Sequence, residues 1–423
     1  MFMPMLHVPI RWTALEPFLI AIVFLAGLTG CGGQSAGRNI AWQTGTPPST
    51  EPAPPPELTT QAPAAAAEGQ PSPSPSPTVP PAPATTADAG ATLTPEQLRQ
   101  LRPNELGFIP VLEYHNFVED PKDEAQFARP LDDFRADLRW LYEHDFYVIP
   151  LRDLILNRIA APAGKRPVVL TFDDSYASQF RVLVNADGTW TIDPDSAVGI
   201  MEEFFAAHPD FGRGGFFAVI PGFCFDWLPD RREEDQTALC PKKISWLLDH
   251  GYEIGNHTLD HVSLYDVTDD EFKRQIGGAI EALQAYDPRV TADIIAMPYG
   301  DYPDRQKHHQ QRLWLRHGFT YNGRTITILG CLMVGANPTE SPASTEFDPV
   351  WIARIQAFDG DVDVRDAPNL YQWFDRMMAD PETVYVSDGN PDTITVPEQL
   401  PVALAGTLDE ARLEAEGKTV IRY

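Results

Sequence analysis

Positive charge is scarce in this sequence. Its 32 Lys and Arg stand against 60 Asp and Glu, for a formal net charge of −28. Phosphate backbones are bound by basic faces, so nucleic acid is excluded as a partner. Cysteine is scarce too, with four in 423 residues and no CxxC pair, which argues against a thiolate zinc site. Between Thr44 and Thr94 there is no Lys, no Arg and no aromatic residue. Such a Pro/Ala/Thr/Ser stretch cannot bury a core and is expected to be an extended, disordered tether. No His follows His317, which limits where an imidazole can serve.

The apolar run Phe18 to Gly27, preceded by Arg11, is short for a membrane span and suits the central region of a secretory signal. It ends in Leu28-Thr29-Gly30-Cys31, which resembles a bacterial lipobox. That resemblance implies lipidation of Cys31 and an extracytoplasmic chain anchored to the cell membrane. Four segments are expected: a signal over 1–30, a tether over 31–94, a folded domain over 95–380, and a C-terminal appendage over 381–423. The appendage carries strand-like pieces such as KTVIRY and reads as a small β addition.

From residue 105 onward, helical and strand patterns alternate. LDDFRADLRWLYEHDFYVIP has a helical period followed by a strand, and so do KKISWLLDHGYEIGNHT and QQRLWLRHGFTYNG. A strand is also expected over Ile109 to Leu112. Alternating units imply a mainly parallel sheet with its chemistry at the C-terminal strand ends. LYEHDFYV, LLDHGYEI and WLRHGFTY look alike. His144, His250 and His317 in them suit the last turn of a helix, where a cation favours the dipole, and are read as structural.

VVLTFDDSY is fit for a buried strand, yet it ends in Asp173 and Asp174. Adjacent buried carboxylates repel, so a cation is expected beside them. His257-Thr258-Leu259-Asp260-His261 supplies two imidazoles four residues apart. On a helical turn they would share one face and ligate one metal with a carboxylate.

TFDD, HTLDH and MPYG, in this order, resemble the motifs of polysaccharide deacetylases with a NodB-homology domain, carbohydrate esterase family 4. The resemblance covers roughly residues 105–375. It implies a distorted (β/α) barrel and metal-dependent removal of N-acetyl groups from a polysaccharide. It also implies Asp173 as general base and Asp174, His257 and His261 as ligands of a divalent metal, most readily zinc. The backbone N–H of Tyr299 would face the oxyanion. VLEYH at 111–115 is similar to the poly-N-acetylglucosamine deacetylase subgroup, and His115 is the expected acid. The chain departs from the family in three ways. Ser175 follows the Asp pair in place of Gly. Met297 stands where many members carry an Arg that contacts the base. The late His of many members is missing. These departures keep a non-catalytic carbohydrate-binding lipoprotein in play. An O-acetyl esterase needs the same metal. An iron oxygenase would use the same two His and carboxylate but leave Asp173 unexplained. A monomer is expected.

An insertion at 185–209 reads as a hairpin or loop near the site. Trp190, Phe223, Phe225 and Trp227 either stack on sugar rings or pack loops. Cys224 and Cys240 either pair or remain buried thiols.

Overall fold

The computed structural model describes residues 92–423 except 121, 123–126, 229–230, 233–235, 237, 359–367, 402–403 and 405. Cys31 and the tether lie outside the described residues. So does the side chain of Trp227. No helix among the described residues is long and apolar enough to cross a membrane.

The central sheet contains β1 (Val111–Tyr114), β2 (Phe146–Val148), β3 (Arg166–Phe172), β4 (Phe216–Val219), β5 (Glu253–Asn256), β6 (Ile294–Ala296), β7 (Gly330–Leu332) and β8 (Ile355–Gln356). The order across it is β7-β6-β5-β4-β3-β1-β8, with β2 beside the start of β3, and every pairing is parallel. Its two edges meet where Leu332 bridges Ile352, just ahead of β8. The sheet is therefore curled back on itself, as the expected distorted barrel requires. β2 is wedged in at the lower end, pairing with β3 and bridging Gly212 through Val148.

Strand alternation sorts the side chains. Leu112, Tyr114, Leu170 and Phe172 pack outward with helices α2 (Leu131–Glu143), α4 (Ala197–Ala207) and α5 (Cys240–Asp249). Val111, Val169, Phe216, Ala218, Ile294 and Leu332 form a second cluster inside the curl. By the same parity Glu113, His115, Thr171 and Asp173 fall on the inner side. The strands are apolar on both faces, as a covered parallel sheet demands.

Two expectations shift. The strand at the start of the domain runs from Val111, because Ile109 pairs with Thr339 in a separate antiparallel bridge. Phe319–Tyr321 does not enter the barrel. It turns through Asn322-Gly323 into a hairpin with Arg324–Ile326, and the strand after α7 (His309–His317) is β7 instead. Asn-Gly is a strong hairpin signal, which explains the diversion.

His144 and His250 close their helices as expected. Each Nδ1 donates to a carbonyl four residues earlier, Trp140 at 2.7 Å and Trp246 at 2.8 Å, and each ring stacks on that Trp. His317 ends its helix exposed. Cys224 and Cys240 form a disulfide, and Cys331 is free and buried.

Within the 185–209 insertion, Trp190–Ile192 pairs antiparallel with Val182–Val184, and Ala197–Ala207 is helical. Trp190 is half-buried near Phe180, and Phe225 is fully buried, so Phe225 packs the core and is not open to a sugar. Phe223 is half-buried. At the C-terminus, β9 (Thr393–Val396) and β10 (Thr419–Arg422) pair in parallel around a short helix, Glu410–Ala415. This unit packs on Leu106 and Ala343. Val384 and Val386 bridge Phe108 and Asn104 ahead of β1, at the end of the barrel away from the strand C-termini.

Candidate metal centre and active site

β3 delivers Asp173 and Asp174 at its C-terminal end. Asp174 and Ser175 both take left-handed backbone, with φ of 76° and 58°. A Gly would adopt this without strain. Ser175 compensates, because its hydroxyl accepts the Ile220 N–H at 2.9 Å in a fully buried position.

His257 and His261 follow β5, in a loop and not on the helical turn expected from their spacing. Thr258 and His261 have φ of 61° and 53°. The loop is pinned to α6 (Asp269–Tyr286): Asn256 donates to the Ile276 carbonyl and accepts the Thr258 N–H, while Gln275 accepts the Asp260 N–H. These anchors bring both imidazoles to one point. Asp174 Oδ1 lies 2.9 Å from His257 Nε2 and 3.1 Å from His261 Nε2.

The donor set fits a divalent cation. His257 Nδ1 donates to the Ala296 carbonyl at 2.9 Å and Nε2 lies against Asp174; on losing its proton, Nε2 would offer a lone pair to an ion. Burial alone would raise the Asp174 carboxyl, but hydrogen bonds from His257 and His261 outweigh it and hold the group well below its ordinary value. Two imidazoles and one carboxylate leave positions open for water and substrate, the arrangement of a catalytic site and not a structural one.

Asp173 points to different company. Arg354 Nη1 donates to Oδ1 at 2.9 Å and Nη2 to Oδ2 at 2.7 Å. Burial pushes Asp173 up, the Arg354 charge and hydrogen bonds pull it down, and the net direction is down. Arg354 is 0% exposed and is held further by Met333 O and Thr171 Oγ1. Glu113 lies 3.4 Å from the same guanidinium, at Nη2. Glu113, His115 and Asp173 could hold a second ion by donor type. A guanidinium already sits against the two carboxylates, so that group has its cation.

Arg354 was not singled out by sequence reasoning. Met297, where the missing Arg was noted, is fully buried in the outer core. The guanidinium reaches Asp173 from the closing strand instead. The only sequence signal is an Arg inside the apolar run WIARIQAF.

His115 is nearly buried, with Nε2 3.7 Å from Glu113 Oε1 and its ring 4.6 Å from Phe127. Tyr299 has φ 60° and is 61% exposed, its ring 4.8 Å from that of His261. All six residues named from the sequence thus fall on the C-terminal side of the sheet, on β1, β3, β5 and β6 or the turns after them. The clusters Asp174/His257/His261 and Glu113/His115/Asp173 each converge within 4.8 Å.

A curled parallel sheet with a His₂Asp group and a separate buried carboxylate at its strand ends defines an α/β barrel with a candidate metal site. Residues 222–317 match the model of the family "Polysaccharide deacetylase". The chain is 20% identical over 214 residues to the putative polysaccharide deacetylase YxkH of Bacillus subtilis (strain 168). That alignment covers 50% of this chain and 64% of the relative, so the chain spans just under two thirds of the relative's length. Among solved structures, the deacetylase PplD of Streptococcus pyogenes in complex with acetate aligns at 20% identity and a TM-score of 0.42, over 59% of this chain and 92% of that one. IcaB of Ammonifex degensii aligns at 17% identity and a TM-score of 0.40, over 59% and 92%.

Proposed function

We propose that this protein is a metal-dependent polysaccharide N-deacetylase. The observation that carries the reading is the convergence of Asp174, His257 and His261 on one point, with Asp173 beside it but bound to Arg354. One carboxylate would be a ligand, and its neighbour, held by Arg354, is left to take up a proton.

Asp174, His257 and His261 would hold a divalent ion, zinc first among candidates, which supplies polarisation of the acetamide carbonyl and an acidified water. Asp173 accepts the proton of the attacking water, and Arg354 keeps its carboxylate ionised and in one orientation. The Tyr299 N–H donates to the oxyanion as charge gathers on the carbonyl oxygen. His115, protonated, gives its proton to the departing amine. The products are acetate and a free amine on the sugar.

VLEYH at 111–115 favours poly-N-acetylglucosamine as the polymer. The lipobox-like Cys31 favours a lipid-anchored, extracytoplasmic monomer, and Cys31→Ser would then move the protein from membranes to the soluble fraction. The decisive experiment measures acetate release from chitooligosaccharide, peptidoglycan and poly-N-acetylglucosamine, using metal-stripped and zinc-reloaded protein. Release that follows zinc supports the reading. A zinc-loaded protein that releases acetate from none of them overturns it.

A further inference from the structure

The ladder between β1 and β3 runs as far as Tyr114 and Phe172, and the Asp173 N–H still donates to the Tyr114 carbonyl at 2.9 Å. The carbonyls of His115 and Asp173 lie past the last paired residues. There a side chain bridges them. Gln179 Nε2 donates to the His115 carbonyl at 2.9 Å and also to the Asp173 carbonyl. Both neighbours are acceptors, so only the NH₂ end of the amide can face them.

The Gln179 side chain is fully buried, and its Oε1 has no hydrogen-bond partner among the described residues. A buried orphan acceptor costs stability and calls for an explanation. What the nitrogen holds supplies one. The backbone of Gln179 is fixed in turn. Its N–H donates to the Tyr176 carbonyl at 3.1 Å, and its carbonyl accepts the Val198 N–H of α4 at 2.9 Å. Ser178 beside it ties the residues after His115: its Oγ donates to Asn116 Oδ1 at 2.8 Å and accepts the Phe117 N–H at 2.9 Å. The turn after the Asp pair is therefore a clasp across the ends of β1 and β3, and Gln179 is its member that reaches His115 and Asp173.

We propose that Gln179 is a positioning residue of the reaction, its amide setting the spacing between His115 and Asp173 by holding both carbonyl oxygens. This rests on the reading of Asp173 as base and His115 as acid. The two ends of the clasp are not equally dependent on it. The Asp173 carboxylate has a second hold in Arg354. The His115 ring packs against Phe127, and its buried Nδ1 has no hydrogen-bond partner among the described residues, so its place follows the backbone that carries it. Loss of the Gln179 amide is then felt more at the acid than at the base. A departing amine needs a proton from the acid, whereas the nitrophenolate of an aryl acetate leaves without one.

The test compares the zinc-loaded parent with Gln179→Met and Ser178→Ala. Zinc content and urea unfolding are measured first. Then kcat and KM are measured on para-nitrophenyl acetate and on whichever of chitooligosaccharide, peptidoglycan and poly-N-acetylglucosamine the parent deacetylates. Both variants are expected to keep zinc. Gln179→Met should lose kcat on the polymer by about 10–100-fold at unchanged KM, the usual effect of a small misplacement of a reacting group. Its loss on the ester should be about 10-fold smaller. Ser178→Ala loosens the same clasp without touching His115 or Asp173, and should keep the parent's ratio of polymer to ester rates. An unmoved ratio in Gln179→Met overturns the proposal, and so does an equal fall of the ratio in Ser178→Ala. Should Gln179→Met not fold, Gln179→Glu decides by the same ratio, since it keeps the shape and donates at most one hydrogen bond. A parent active on no polymer overturns the deacetylase reading and this role with it. A parent active on both substrates with an unmoved ratio in the variant overturns the role of Gln179 alone.

Discussion

Arg354 meets Asp173 through two parallel hydrogen bonds, 2.9 and 2.7 Å long, between residues 181 positions apart in sequence. The fork matches both carboxylate oxygens, so it fixes the plane of the carboxylate as well as its charge. Glu113 touches the same guanidinium at 3.4 Å without that geometry, and its carboxyl moves in the opposite direction. Two acids facing one Arg are thereby set apart, the Asp173 carboxyl lowered and the Glu113 carboxyl raised.

Arg354→Met should remove the shared cation and leave two buried carboxylates unbalanced. Breaking a buried pair in this way costs about 3–5 kcal/mol. Urea unfolding should show a loss of that order, and acetate release should fall even at temperatures where the variant stays folded. A variant with parent-like unfolding and activity would contradict the role given to Arg354.

Asp173→Asn and Asp174→Asn should separate the two carboxylates. Asp173→Asn keeps the side-chain shape but cannot take up a proton. It should retain zinc by elemental analysis and lose acetate release by about 10²–10⁴-fold. Asp174→Asn should lose zinc and activity together, as should His257→Ala and His261→Ala. If Asp173→Asn loses the metal and Asp174→Asn keeps it, the assigned roles are reversed.

The Cys224–Cys240 disulfide closes a loop with a sequence separation of 16. Loops of this size restrict the unfolded chain by about 3 kcal/mol. The Cys224→Ser/Cys240→Ser pair should therefore unfold at lower urea concentration than the oxidised parent, and at about the same concentration as the reduced parent. Equal midpoints for the oxidised parent and the double variant would count against a stabilising role.

Glu105 provides a pH dependence far from the active site. It is buried beneath the C-terminal unit, where it accepts hydrogen bonds from Tyr385, Asp388 N–H and Thr395 N–H. Burial first, then the Asp388 charge, pushes its carboxyl from 4.5 up to about 8. A raised folded value means that the folded state binds the proton more tightly. The stabilisation is complete below pH 4.5 and is lost as pH rises through about 8. Melting temperatures of the parent should fall relative to those of Glu105→Gln between pH 5 and 9. Parallel curves would show that Glu105 does not titrate in this window.

The site was legible where chemistry repeats locally. TFDD follows a β-branched run, and HTLDH follows Gly and a strand, so the two Asp and two His stand out together. Inward parity of Glu113 and His115 follows from alternation once β1 is placed. Arg354 was hidden because its partner is distant and no motif surrounds it. The shape of the His257–His261 loop was hidden as well. Spacing of four suggested a helix, and the buried Asn256 and Gln275 side chains override that local preference. Phe319–Tyr321 misled for a similar reason: strand composition does not say which sheet a strand joins, and Asn322-Gly323 turns it away from the barrel.

The segment that closes the barrel also carries Arg354. Ile352 joins β7, and Ile355 joins β1, and the guanidinium lies between them in sequence. Sheet closure and completion of the site are therefore one event. A nascent or truncated chain ending before residue 354 could present Asp174, His257 and His261 but would leave Asp173 without its cation. Contacts spanning such sequence distances carry a large loop-closure cost. Asp173 and Arg354 can therefore pair only once the segment ahead of β8 has docked between β7 and β1.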